Sequence, residues 1–263
     1  MNPGERLRSF FNELYPNEKG FKPLEKISVD LKNDDEIIEL FHKSLLDYLV
    51  RRFLKTAESY RRKYPPDNYG EGKYRSEFED YLYNYTNYTR TQISQISSLI
   101  AQCIYASNTL ISDGTRNNLV KKSKAEDRNC YICGTNIDYS KKNNTVNSYS
   151  LDHKWPHSLG GLSSEENLDI ACADCNSKMG DYIDYADFHF EYISFKYLSN
   201  KDYDKNSSKL YEFPILDKFD YSCSVCGKTT QQVGKLYIDK KDPSDGWHFL
   251  NLTTYCSIHI PEL

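Results

Sequence analysis

The chain has 263 residues, of which 38 % are hydrophobic, 27 % charged and 14 % aromatic, a balance that supplies a packed core and excludes a disordered polypeptide. A mean hydropathy of −0.74 and no run near the ~18 apolar residues a membrane helix needs exclude a bilayer span. The net charge of −4, from 34 basic and 38 acidic side chains, argues against coating nucleic acid by bulk electrostatics.

The opening MNPGERLRSFFNELYP carries charge and proline where a signal peptide needs an apolar run, so a soluble, cytoplasmic protein is expected. Residues 1–32 show no strong period and read as an arm. From Asn33 the pattern is helical: Asn33 can cap, Glu36 can reach back, and Ile38, Phe41, Leu45, Leu49 and Phe53 fall on one face. Pro65 and Pro66 end that helix. A second begins near Ser76, with Phe78, Leu82 and Tyr85 and then Ile93, Ile96, Ile100 and Ile104 on one side; Thr86, Thr89 and Thr91 weaken its continuity. Gly114 is expected to close it, ahead of a basic helix over 116–125. Cys103, inside the isoleucine stripe, reads as a small core residue. Residues 51–75 carry a local charge of +5, 116–128 one of +3, and 181–220 one of −4. Basic runs of this kind serve as solvated helix faces or as phosphate contacts.

After residue 128 the texture changes to knuckles, strands and turns. Residues 145–152 alternate like a strand, a helix is expected from Asp174–Asn176, and Tyr185, Phe188, Tyr192 and Phe195 form a later helical stripe. Six of the eight cysteines form three C-x-x-C pairs. Cys130 and Cys133 are followed, after 38 residues, by Cys172 and Cys175. Four thiolates close a tetrahedral zinc site with no open position, which is a structural staple. A redox role would need a thioredoxin-like βαβ context, which is not visible.

Between the two pairs lie Asp152-His153, Pro156, Ser158, Gly160-Gly161 and Asn167-Leu168, with Asn176 and Lys178 following Cys175. In this order and spacing, residues 128–180 resemble the HNH, or ββα-metal, endonuclease family. The resemblance implies that His153 is the general base taking a proton from the attacking water, a task suited to an imidazole at neutral pH. It implies that Asp152 and Asn176 ligate one catalytic Mg²⁺ or Mn²⁺, that Asn167 fixes the loop bearing His153, and that Lys178 contacts a phosphate. Asn176 stands where many members carry a histidine.

A second unit opens with Cys223 and Cys226 and closes, 29 residues later, with Cys256-Ser-Ile-His259, giving a second expected structural zinc site. Its interior parallels the first: Asp239-Lys240 stands for Asp152-His153, Pro243 for Pro156, and Asn251-Leu252 for Asn167-Leu168. Lys240 is no ready base at neutral pH and Ile260 cannot bind a metal, so this unit reads as an inactive HNH-like repeat or as an unrelated zinc finger.

The expected architecture is α+β: a helical domain over 1–125, a zinc-stapled HNH domain over 126–198, a linker over 199–214 and a C-terminal zinc unit over 215–263. The expected function is a divalent-metal-dependent endonuclease acting on DNA, in phage defence or restriction, with a regulatory or targeting protein partner. The sequence does not separate RNA from DNA, and a non-catalytic zinc-stapled module binding nucleic acid or protein is the alternative.

Overall fold

The computed structural model describes residues 1–17, 35–142, 145–187, 209–247 and 249–261. It mixes helices with two small sheets, and it divides into two compact units. The first holds residues 1–110 with 153–163; the second holds 111–152 with 164–263.

In the first unit, the arm contains a helix where no strong period was expected, α1 (Pro3–Leu14), opened by an Asn2–Glu5 capping box with proline in its first turn and burying Leu7 and Phe11 on one face. The next helix, α2 (Asp35–Lys63), is followed by the single turn α3 (Pro66–Tyr69), α4 (Glu71–Tyr85) and α5 (Arg90–Ser107). Asn33, the expected cap of α2, lies outside the described residues. The buried face of α2 is not the expected stripe. Leu46, Val50, Phe53, Leu54 and Ala57 are buried, whereas Phe41 is 41 % exposed. α1 selects that face: Phe11 stacks on Phe53 with centroids 5.4 Å apart, and Arg8 reaches the buried Asp47 at 2.6 Å.

The second expected helix is in fact two. Thr86 leaves α4 in an extended conformation, and Thr89 opens α5 by accepting from the Gln92 amide. Tyr85, at the end of α4, faces solvent, while Ile93, Ile96, Ile100, Cys103 and Ile104 are buried as the stripe predicts. Gly114 closes nothing, because it lies inside the following helix.

Residues 153–163 belong to this helical unit. Their 3-10 turn, His157–Leu159, packs on α5 and α2. Trp155 is buried and its indole N–H donates to the Leu159 carbonyl at 2.9 Å. Gly4 of α1 makes that fit possible: a Cβ there would sit 2.0 Å from Leu159 O and 2.1 Å from Trp155 Nε1. Any side chain at residue 4 would push the loop away.

The second unit opens with α6 (Asp113–Ala125), capped by Ser112. A three-stranded sheet follows in the order β1 (Asp138–Lys142), β2 (Ser148–His153), β3 (Leu168–Cys172), and β3 runs into α7 (Ala173–Met179). Residues 181–187 form turns, with Tyr185 buried against Phe249; Phe188, Tyr192 and Phe195 lie outside the described residues. The later part of the expected linker is helical, since α8 spans Lys209–Lys218 and buries Phe213, Ile215 and Leu216.

Beyond α8 come the short helix α9 (Thr230–Val233) and a hairpin of β4 (Tyr237–Lys240) and β5 (Leu252–Tyr255), paired from Tyr237↔Tyr255 to Lys240↔Leu252. The two cysteine knuckles repeat one hydrogen-bond pattern. Cys130 N–H donates to Thr135 O and Gly134 N–H to Cys130 O; Cys223 N–H donates to Lys228 O and Gly227 N–H to Cys223 O. Tyr131 N–H reaches Ile170 O and Ser224 N–H reaches Thr254 O, each acceptor two residues before the next cysteine. After Cys172 the chain continues into α7, and after Cys256 it forms a turn over residues 257–259. α9 lies against the first knuckle: Thr230 Oγ1 donates to Tyr131 O, and Gln231 Nε2 donates to Asn129 O at 2.8 Å. Gly134 adopts φ +69°, and a Cβ there would fall 2.1 Å from Gly234 O.

Candidate active site

Among the described residues, two clusters of metal-ligating side chains are gathered in the second unit. The sulfurs of Cys130, Cys133, Cys172 and Cys175 all lie within 4.8 Å of one another, as do the ligand atoms of Cys223, Cys226, Cys256 and His259. Cys133 Sγ and Cys172 Sγ are 3.9 Å apart, against about 3.8 Å for two corners of a tetrahedron with Zn–S bonds of ~2.3 Å. In the second cluster, His259 Nδ1 is 3.2 Å from Cys256 Sγ and 3.7 Å from Cys223 Sγ, making it the ligand nitrogen. Both donor sets fit zinc.

Asp152, near the end of β2, is 8 % exposed, and its Oδ2 accepts a 2.6 Å hydrogen bond from the Tyr131 hydroxyl. The Tyr131 phenol is pushed well above its usual value, first by burial and then by the Asp152 charge, so it remains a donor. Asn176, in the first turn of α7, donates through Nδ2 to Ser150 Oγ on β2 at 2.9 Å. That bond assigns the amide and leaves Oδ1 as its acceptor oxygen. A carboxylate and an amide oxygen are hard donors, and they fit Mg²⁺ or Mn²⁺ better than a soft metal.

Asn167 is buried at 4 % exposure immediately before β3, and its backbone N–H closes a turn on Ser164 O. Its counterpart Asn251 uses its whole amide on one loop, accepting from Asp242 N–H and donating to Asp242 O and Gly246 O. Lys178 Nζ pairs with Asp174 at 2.9 Å along α7. Lys240, at the position matching the histidine, donates to the carbonyls of Pro243 and Asp245, a structural use of the ammonium.

His153, joined to Asp152 by a peptide bond, is held by groups of the helical unit. Its Nε2 lies 3.2 Å from Ser163 Oγ, which donates to Thr109 O at 2.9 Å. His157 Nε2 reaches the same carbonyl at 3.0 Å, and the two imidazoles stand 4.8 Å apart. Burial, and then the neighbouring His157, lower the His153 pKa to about 4. The ring is therefore neutral at pH 7 and able to accept a proton.

Sequence reasoning missed Tyr131, Ser163 and Thr109. Tyr131 sits between two metal-ligand cysteines, a position with no composition cue, and the other two meet only through tertiary packing. Cys103 is a core residue as expected, its thiol pushed up to about 12 by burial.

Residues 130–191 match the model of a family described as HNH endonuclease. The interval begins at Cys130 and includes Asp152, His153, Asn167, Cys175, Asn176 and Lys178, so this part of the chain is similar to HNH endonucleases. No curated protein and no solved structure matches the chain.

Proposed function

We propose that the protein is a divalent-metal-dependent endonuclease that hydrolyses phosphodiester bonds in DNA. The observation that carries this reading is an imidazole held neutral by burial directly after a buried, hydrogen-bonded carboxylate, within the segment that matches the nuclease family. His153 takes a proton from the water that attacks phosphorus, the P–O3′ bond breaks, and the departing oxygen takes a proton from solvent water, giving 5′-phosphate and 3′-hydroxyl ends. Asp152 and Asn176 would hold Mg²⁺ or Mn²⁺. The ion, when bound, stabilises charge on the phosphorane and on the departing oxygen. Asn167 holds the loop that follows His153, and Lys178 contacts a phosphate. The two zinc clusters are structural, and the C-terminal one belongs to a non-catalytic repeat. Phage defence or restriction is the setting that the family resemblance suggests.

The test is cleavage of plasmid and oligonucleotide DNA by wild type beside His153→Ala, with EDTA, Mg²⁺ and Mn²⁺ in parallel and RNA as a second substrate. Metal-dependent nicking lost in the variant supports the reading. Equal cleavage by folded, zinc-loaded variant and wild type removes His153 from the reaction, and cleavage confined to RNA corrects the substrate.

A further inference from the structure

His153 has two ring nitrogens, and only one of them can be the proton acceptor in the neutral ring. The hydrogen bonds around it decide which. The Thr109 carbonyl cannot donate, so the single hydroxyl proton of Ser163 is committed to it at 2.9 Å. Ser163 Oγ, with its proton spent, can only accept from His153 Nε2 at 3.2 Å. Nε2 must then carry the hydrogen, which makes Nδ1 the acceptor nitrogen. The His157 ring is set in the same way, because its Nε2 faces the same carbonyl at 3.0 Å. That carbonyl has two lone pairs and satisfies both donors.

Thr109 is fixed in turn. It lies just past the end of α5, with its N–H bonded to Ala106 O and its hydroxyl donating to Tyr105 O at 3.1 Å. The loop on which Ser163 and both histidines ride is seated on the same helices through Trp155, Leu159 and the bare backbone of Gly4.

We infer that Ser163 is a positioning residue, which locks His153 in the Nε2–H tautomer by relaying the Thr109 carbonyl. Groups of the helical unit in this way set which nitrogen of His153 accepts the proton. The inference rests on His153 being the proton acceptor of the proposed nuclease, but the tautomer can be read without any activity.

The experiment uses the full, zinc-loaded chain. Long-range ¹H–¹⁵N correlation of the histidine side chains, with His153 assigned by its loss in His153→Gln, reports the tautomer at neutral pH. Wild type shows Nε2–H alone; Ser163→Ala shows a mixture of both tautomers; Ser163→Thr, which keeps the hydroxyl, restores the single form. In cleavage, Ser163→Ala lowers kcat about tenfold with KM for DNA unchanged, and Ser163→Thr recovers it; a fully wrong tautomer costs up to ~10⁴ in a serine-protease triad, and a mixture costs far less. An unchanged Nε2–H signal in Ser163→Ala overturns the inference, even if activity falls. A tautomer that follows Ser163 in a protein whose His153→Ala variant still cleaves keeps the lock and defeats the nuclease role of His153 instead.

Discussion

Replacing Tyr131 by phenylalanine removes one hydroxyl and nothing else, and it isolates what that hydroxyl does for Asp152. The bond is 2.6 Å long, within the ~2.5–2.7 Å range of a charge-assisted O–H···O⁻ contact. The ring itself stays fixed by other means: Tyr221 meets it edge-on at 5.5 Å and 72°, its carbonyl takes the Thr230 hydroxyl, and its N–H is bonded to Ile170. Tyr131→Phe is therefore expected to fold, bind zinc and leave no cavity, while Asp152 loses a donor that orients its carboxylate. A hydrogen bond to a charged group contributes ~1.5–3 kcal/mol, and the loss of a partner behind a metal ligand typically weakens binding by ~10–100-fold. The assay is calorimetric titration of the zinc-loaded protein with Mn²⁺, beside cleavage at increasing Mn²⁺. The expected result is an affinity at least ~10-fold weaker, with kcat recovered when metal saturates. Tyr139→Phe, which removes a phenol bonded at 2.8 Å to the Arg128 carbonyl of the same unit, serves as the control and should leave the titration unchanged. Unaltered Mn²⁺ affinity in Tyr131→Phe, with zinc retained, would refute the claim that this hydroxyl orients a metal ligand.

Deleting residues 1–110 strips the seat from Trp155, Leu159 and Ser163, so cleavage should be abolished rather than released; a truncated protein that cleaves at the full rate would show that the loop holds its shape alone. Prolonged chelation of zinc should unfold the second unit and remove its secondary structure by circular dichroism, since closed thiolate sites contribute folding free energy directly; retention of the native spectrum without zinc would contradict this. Asp217 accepts from Tyr185 N–H and from the Tyr221 hydroxyl, yet burial raises its pKa from 3.8 to about 6. The native state thus holds a proton that the unfolded chain has released, and the associated stability, roughly 3 kcal/mol, is present below about pH 4 and lost as pH rises through 6. Asp217→Asn should gain melting temperature relative to wild type between pH 4 and pH 7, and parallel pH profiles for the two proteins would refute this assignment.

What could be read from the sequence divides according to how local its cause is. A C-x-x-C knuckle is dictated by ligand geometry over a few residues, so Cys130, Cys133, Cys172 and Cys175, and equally Cys223, Cys226, Cys256 and His259, were legible from spacing alone. The isoleucine stripe of α5 was legible for the same reason, because its period is carried by four identical side chains on one helix. The buried face of α2 was not: Phe41 and Phe53 both satisfy a helical period, and the packing of Phe11 of α1, distant in sequence, decides that Phe53 goes inside. The least legible parts are the groups behind the proposed base. Ser163 and Thr109 are 54 residues apart, and Thr109 contributes a backbone carbonyl that any residue at that position would carry. A sequence motif can name His153, but the choice between its two nitrogens depends on where helix α5 ends in space. For that reason substitutions in the helical unit that shift the end of α5 should change the chemistry at His153 while leaving every motif residue intact.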